Sequence, residues 1–294
     1  MKRFTSLEQV IDRQAHRLLD ALPERGIYGS LVEFLVFGLK QAWACLFGGL
    51  MLALIIGTHL VYPADAWLTR YDFLFLAALA IQLVMVLGRL ETWDEAKVIL
   101  IFHIVGTVME IFKTYAGSWI YPEENLFRIG GVPLFSGFMY AAVGSYLARV
   151  SRLFDMRYTH YPRHWHTLLL AAAIYVNFFA HHFVWDFRWL LFAATAALYW
   201  RCFVHYRVFR HTHKMPLLLG FGLVALFIWF AENLGTVSKA WLYPTQLHGW
   251  TMVSPAKLGA WYLLMIISFV LVTIVHRPKP PEEGRQDRKN KNAA

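Results

Sequence analysis

Two stretches decide the fold: residues 110–140, EIFKTYAGSWIYPEENLFRIGGVPLFSGFMY, and residues 232–262, ENLGTVSKAWLYPTQLHGWTMVSPAKLGAWY. At an offset of 122 residues they align without a gap and share E-x8-W-x-Y-P-x10-P-x3-G-x2-Y. Thr114 also falls on Thr236. Further out, the same offset sets Trp43 on Trp165, His59 on His181 and Trp67 on Trp189. A membrane-like composition produces chance matches among Leu, Ala and Val. These matches fall instead on Trp, Tyr, Pro, Gly, His and Glu, so the offset predicts an internal duplication.

The surrounding sequence is that of a membrane protein. The 294 residues are 58% hydrophobic and 16% charged, whereas soluble domains carry about a quarter charged residues. Disordered chains, coiled coils and ordinary soluble enzymes are thereby excluded. Eight apolar runs of about 20 residues are readable, at 40–61, 71–90, 97–116, 132–152, 165–184, 189–206, 215–234 and 255–276. Backbone in lipid must satisfy its own hydrogen bonds, so each run is expected to be a helix. The offset superposes the eight as four plus four. Four is even, so both halves insert in the same direction, as parallel repeats about an axis along the membrane normal. The expected fold is an all-α polytopic membrane protein, with 29–152 as its first repeat and 153–276 as its second.

The net charge of +9 reads as topological rather than as a nucleic-acid signal. Most of the 28 Lys and Arg lie in the N-terminal segment, in the loops after the second, fourth and sixth runs, and in the C-terminal tail. The alternate loops hold only Arg70, Arg128, Arg188 and Lys239. The positive-inside rule then puts both termini in the cytoplasm. Residues 1–28 lack the apolar core and cleavage site of a signal peptide. Phe4, Leu7, Val10, Ile11, Leu18, Leu19 and Leu22 fall on one helical stripe, and Thr5 with Glu8 forms a candidate capping box. An amphipathic helix lying on the membrane and ending near Pro23 is expected. Residues 277–294 read as a basic, disordered tail. Cys45 and Cys202 form no metal or redox pattern and read as core residues.

Glu110 and Glu232 carry the chemistry. A charged residue inside a span costs about 2.5–3.5 kcal/mol on insertion scales, so such a group is expected to face the bundle interior with a partner. His103 and Thr107 share the Glu110 face at i−7 and i−3, and Lys113 at i+3 is a candidate ion-pair partner. Asn233 and Thr236 stand near Glu232. The topology gathers both glutamates, both W-x-Y-P loops, His59 and His181 at the outer side. Two inward carboxyls in different environments divide acid and base between them. Glu110, Glu232, His181 and His103 are therefore the candidate catalytic groups. Trp119, Tyr121, Trp241, Tyr243, Lys113 and Asn233 are the candidate substrate-binding groups. The structural alternative is a buried pair that pins the repeat interface.

The remaining motifs are weaker. His181-His182-x3-Asp186 offers too few ligands for structural zinc, and no metal or cofactor is expected. His160-x3-His164 is similar to the first box of membrane desaturases, but the required H-x2-H-H boxes are missing. Trp67, Trp185 and Trp189 suit an interfacial aromatic belt. Pro133 and Pro255 are expected in the first turn of their helices, with Gly137 and Gly259 allowing close helix approach.

The run His103-x2-Gly106-Thr107-x2-Glu110, through Gly117-Ser118-Trp119-Ile120-Tyr121-Pro122-Glu123 to Gly131-Val132-Pro133-Leu134, resembles a bacterial family of uncharacterised integral membrane proteins, the YoaT-like family. The resemblance spans most of the chain and implies a bacterial cytoplasmic membrane protein without naming an activity. Locally, a membrane Glu followed by aromatic-x-Tyr and Gly-Val-Pro-Leu is similar to carotenoid hydratases and membrane-helical lycopene cyclases, which protonate isoprenoid double bonds. That likeness implies a lipophilic substrate and carries over only Glu110 and Tyr121. The chain departs from the cyclases at Phe135-Ser136, where they have paired acids, and its second half has Val253-Ser254-Pro255-Ala256.

The expected function is an acid–base membrane enzyme acting on a lipophilic, isoprenoid-class substrate. The alternatives are a proton- or ion-coupled transporter and a non-catalytic assembly partner. The expected partners are the bilayer and a lipophilic small molecule, with no nucleic acid.

Overall fold

The computed structural model describes residues 4–20 and 26–281. The chain opens with α1 (Ser6–Leu19). Its capping box forms: the Thr5 amide donates to the Glu8 carboxylate at 2.7 Å, and the Glu8 amide donates to Thr5 Oγ1 at 3.4 Å. The expected stop at Pro23 lies outside the described residues. Next come α2 (Gly26–Ala44) and α3 (Leu46–Val61), bent by 67° at the break between them. Then follow α4 (Arg70–Leu87), α5 (Trp93–Tyr115), α6 (Phe135–Leu153), α7 (His164–Ala180), α8 (Arg188–Tyr199), α9 (Leu217–Val237) and α10 (Ala256–Val275).

Each of the eight expected runs falls largely on one of the helices α3 to α10. Among the described residues, α4, α9 and α10 are long and apolar enough to cross a membrane alone, and the bent pair α2–α3 makes a fourth. The protein is thus a mostly helical membrane protein. Its apolar surface fits that reading: Ile27, Phe34 and Leu39 of α2 are at least two-thirds exposed, an arrangement stable in lipid and unfavourable in water.

Helices α5 and α6 form the centre, and small residues set their spacing. A Cβ on Gly106 would lie 2.6 Å from the Tyr140 ring, and one on Gly144 would lie 2.6 Å from Phe102. Gly137 accepts the side chains of His103 and Thr107 in the same way. Such close approach lets polar groups on one helix reach the next.

Several expectations need correction. Helix α2 was not foreseen; only its last residues, from Lys40, lie inside an expected run. The run 189–206 divides: α8 stops at Tyr199, and Phe203–Arg207 is a strand, β4. With β3 (Arg157–Thr159) and β5 (Thr212–Pro216) it builds an antiparallel sheet in the order β3-β4-β5. Val204 pairs with Tyr158 on one side and Met215 on the other, and alternation of apolar with charged residues suits a strand. The fold is therefore not purely α. Pro133 is not helical; it pairs with Arg128 in a two-residue hairpin, two residues before α6 begins. Pro255 is the N-cap of α10. Residues 277–281 are not free tail, because the Tyr158 amide donates to the Lys279 carbonyl at 2.8 Å. Residues 282–294 lie outside the described residues.

The two ends of the bundle differ in kind. At the α1 end, buried charges are paired: Arg152 binds Glu8 and, at 2.9 Å, Glu95, while Arg149 binds Glu91 at 2.8 Å. Trp43 Nε1 also donates to Glu8 at 2.8 Å. At the other end, buried carboxylates face aromatic donors.

Candidate functional site

Helix α5 delivers Glu110 to that second end, one turn before the helix stops. The stop uses three hydrogen bonds: Ala116 to Phe112, Gly117 to Thr114 and Ser118 to Lys113, each amide donating to a carbonyl. Helix α9 ends on Ser238 to Leu234, Lys239 to Thr236 and Ala240 to Gly235. Every residue in the second set lies 122 positions after its counterpart in the first. Gly117 turns the chain at φ +70°, and Lys239 does so at φ +53°, a left-handed conformation that glycine adopts freely and lysine does not.

Both chains then run extended into the W-x-Y-P loops, and there they meet. The Ile120 amide donates to the Leu242 carbonyl at 2.9 Å, and the Leu242 amide returns the bond at 2.9 Å. Arg70, at the start of α4, ties the two loops further. Its guanidinium donates to the Ser238 and Lys239 carbonyls at 3.0 and 2.9 Å and pairs with Glu123 at 2.5 Å. Asp72 shapes the first loop by accepting from the Leu126 and Phe127 amides at 2.9 and 2.8 Å.

Glu110 is 3% exposed. Its Oε2 accepts from Trp119 Nε1 and from the Tyr121 hydroxyl, both at 2.7 Å, and its Oε1 accepts from the Tyr140 hydroxyl at 2.5 Å. Glu232 is equally buried and accepts from the Tyr243 hydroxyl and from Trp261 Nε1. Trp119 stands edge-on to Tyr243, with ring centroids 6.2 Å apart. The surroundings are apolar: Ile55, Tyr71, Leu74, Val132, Phe135 and Val253 pack around the loops.

The other expected site residues are dispersed. Trp241 lies over Gly235, where any side chain would collide with its ring. Asn233 braces the loop, its Oδ1 accepting from the Val253 amide at 2.9 Å and its Nδ2 donating to the Trp229 carbonyl at 2.8 Å. Lys113 does not pair with Glu110. It turns outward, its Nζ 3.0 Å from His182 Nε2 and 4.2 Å from the Phe178 ring centroid. His181 caps α7, its ring tilted against that of His182 with centroids 4.2 Å apart. His103 sits below Glu110 against Gly137, and its Nδ1 has no hydrogen-bond partner; Thr107 Oγ1, between them, has none either. His59 lines a surface cleft of about 390 Å³ with Thr58, Tyr62, Arg70 and Glu123. Glu110 does not line that cleft; Tyr71, next to Arg70, and Tyr121, which bonds Glu110, have ring centroids 6.2 Å apart. Among the described residues no group of three or more His, Cys, Asp or Glu is placed to hold a metal ion.

Sequence reasoning missed Trp261, Arg70 and Asp72 as builders of this site. Tyr140, which bonds Glu110, was missed as well; Trp261 does for Glu232 what Tyr140 does for Glu110, while Tyr262, at the position matched to Tyr140, packs on Phe192. The T-R-Y-D start of α4 contains the signal for the other two, since charged residues at the edge of an apolar run need partners.

A model of the family described as "Protein of unknown function (DUF817)" matches residues 33–269. "Uncharacterized protein YoaT" from Bacillus subtilis (strain 168) is 42% identical over 250 residues, covering 85% of this chain and 94% of that protein. Among solved structures, the chain is similar to the mycobacterial Insig homolog MvINS from Mycobacterium vanbaalenii, and to a cross-linked trimer of that protein. Each is 15% identical, with a TM-score of 0.45, covering 64% of this chain and 98% of the other. The family match and the Bacillus relative together place this chain in the DUF817 family.

Proposed function

We propose that this is an eight-span protein of two parallel four-helix repeats, with both termini cytoplasmic, and that Glu110 and Glu232 form its proton-holding pair. The pair serves acid–base catalysis on a lipophilic substrate reached from the bilayer. The observation that carries this reading is the burial of Glu110: a carboxyl 3% exposed, held by Trp119, Tyr121 and Tyr140 and, among the described residues, by no ion pair. An ionised carboxylate in such surroundings is expensive, and a second carboxylate nearby makes it more so. One proton held between the two sites relieves both costs. Tyrosine hydroxyls can accept as well as donate, so the Tyr121 or Tyr140 hydroxyl can turn to accept a hydrogen bond from the protonated carboxyl.

The matched helix ends of α5 and α9 and the Ile120–Leu242 pairing support the duplication. The half-buried Tyr140 and Trp261 are the members of each site nearest the surface. Their displacement would open the carboxyls to the membrane interior. Protonation of an isoprenoid alkene is a reaction class that needs a carboxyl still protonated at neutral pH and shielded from water.

A second reading, proton- or ion-coupled transport, is favoured by His103 and Thr107. They continue a polar line along α5 away from Glu110, with buried atoms free to pass a proton. Mass spectrometry of lipid extracts separates the readings. Cells expressing the wild type are compared with the double Glu110→Gln, Glu232→Gln variant at matched membrane abundance. A hydrated or isomerised lipid present only with the wild type supports the enzyme. Identical extracts across isoprenoid-supplied hosts, with pH-coupled flux in reconstituted vesicles, support the transporter.

A further inference from the structure

Between α5, α6, α7 and α10, bordered by Tyr140 of the Glu110 site, lies a small cavity of about 20 Å³. A water needs about 10–15 Å³ of such space and about two to four polar partners, so the cavity has room for a single water. Its walls are mostly apolar, with Phe102 of α5 and Leu264 of α10 among them. Three hydroxyl-bearing residues border it as well: Tyr140 of α6, Tyr175 of α7 and Ser268 of α10. Contacts hold the two tyrosines at adjacent residues of α5. The Tyr140 ring packs on Gly106, where a Cβ would lie 2.6 Å from it, and the Tyr175 hydroxyl donates to the Val105 carbonyl at 3.4 Å.

Each of the three hydroxyls has capacity to spare. Tyr140 donates to Glu110 Oε1 at 2.5 Å and accepts from no group among the described residues. The Tyr175 bond, at 3.4 Å, is long for a hydroxyl donor, where about 2.7–2.8 Å is usual. Ser268 carries the most weight. Elsewhere in the bundle a helical hydroxyl donates to the carbonyl one turn back: Thr58 to Leu54 at 2.7 Å, Ser151 to Leu147 at 2.7 Å and Thr195 to Leu191 at 2.8 Å. Among the described residues, Ser268 Oγ makes no such bond and has no other partner. It is half-buried within the apolar span α10, and lipid offers a hydroxyl nothing to bond to.

We infer that this cavity binds one water, held by Ser268, Tyr175 and Tyr140, and that the water carries protons to and from Glu110. A proton that reaches the water from the aqueous phase passes to the Tyr140 oxygen as the Tyr140 hydroxyl proton moves to Glu110 Oε1. One O–H bond breaks at the water, one breaks and one forms at Tyr140, and one forms at Glu110. The water is left neutral, and Tyr140 then donates to it while accepting from the protonated carboxyl. The relay rests on the proton-holding role proposed for Glu110; the water site does not.

Infrared difference spectra of the reconstituted full chain, in ordinary water and in water enriched in the heavy oxygen isotope, test the inference. The wild type should show a water O–H stretch that shifts with the isotope. Ser268→Val, which fills the cavity, should abolish it, and Tyr175→Phe, which removes one partner and keeps the ring, should abolish or displace it. Thr195→Val, whose hydroxyl is already satisfied by the Leu191 carbonyl, should leave it in place. The protonated-carboxyl band should persist in Ser268→Val and Tyr175→Phe, with hydrogen–deuterium exchange slowed at least fivefold. Tyr175→Phe decides the matter if Ser268→Val misfolds. A water band unchanged in both variants overturns the inference, as does carboxyl exchange at the wild-type rate once the water is lost. A wild type without any protonated carboxyl contradicts the role of Glu110 instead, and the water band still decides the site.

Discussion

Ile120 and Leu242, 122 positions apart, pair directly, each amide donating to the other's carbonyl at 2.9 Å. Under the proposed duplication, a residue that bonds to its own counterpart would lie beside the axis relating the two halves. Both W-x-Y-P loops are locked by this pair of bonds, and both glutamate sites are built from those loops. Ile120→Pro or Leu242→Pro removes one donor and leaves the opposite carbonyl without it. Each is expected to lower stability by about 1–3 kcal/mol, read as a fall in melting temperature of the detergent-solubilised protein. Equal melting temperatures would show that the bridge is incidental.

The left-handed residues that end α5 and α9 give an asymmetric pair of outcomes. Lys239 at φ +53° is strained where Gly117 at φ +70° is not. Lys239→Gly should stabilise the protein by about 0.5–1 kcal/mol, and Gly117→Ala should destabilise it by about 1 kcal/mol. Thermal denaturation of the two variants side by side checks the signs.

Gly106 sets the position of Tyr140. A methyl group there would lie 2.6 Å from the ring, so Gly106→Ala should push the Tyr140 hydroxyl away from Glu110. A loss of about 1–3 kcal/mol is expected from overpacking. Tyr140→Phe, which keeps the ring and removes only the hydroxyl, should cost less stability and as much function. The comparison of melting temperature with lipid product, or with flux, separates packing from chemistry.

At the opposite end, α1 is held by Glu8. Burial pushes this carboxyl up, but hydrogen bonds and the charge of Arg152 outweigh it and hold Glu8 below its usual value of 4.5. Because the folded value is the lower one, the pairing stabilises fully above pH 4.5 and is lost as pH falls through the lowered value. Hydrogen exchange across Ser6–Leu19 should therefore be slow at pH 7, once corrected for intrinsic rates, and rise in strong acid. Glu8→Ala leaves Arg152 short of a partner and should release α1 at neutral pH, at a cost of about 3–5 kcal/mol. Protection unchanged in Glu8→Ala would show that apolar contacts alone dock the helix.

Much of this architecture is legible in the sequence because it is local. Thr5-x2-Glu8 announces the start of α1, apolar runs announce helices, and a glutamate inside such a run demands partners. The W-x-Y-P spacing places Tyr121 and Tyr243 eleven residues after Glu110 and Glu232, and each bonds its own glutamate. What is illegible depends on neighbours remote in sequence. Lys113 sits at ion-pair spacing from Glu110 but points to α7. Trp261 displaces Tyr262 by one residue, which is one-quarter turn of a helix and decides which side chain faces inward. Val204 lies in an apolar run, yet Tyr158 and Met215 recruit it into a sheet.

On the proposed function, Glu110 and Glu232 hold one proton between them at neutral pH. Infrared difference spectra of the reconstituted wild type against Glu110→Gln and Glu232→Gln read it directly, through the C=O stretch of a protonated carboxyl. One such band at pH 7, lost or shifted in each single variant, is the expected result. Carboxylate bands alone, with no protonated carboxyl assignable to either glutamate, would contradict it.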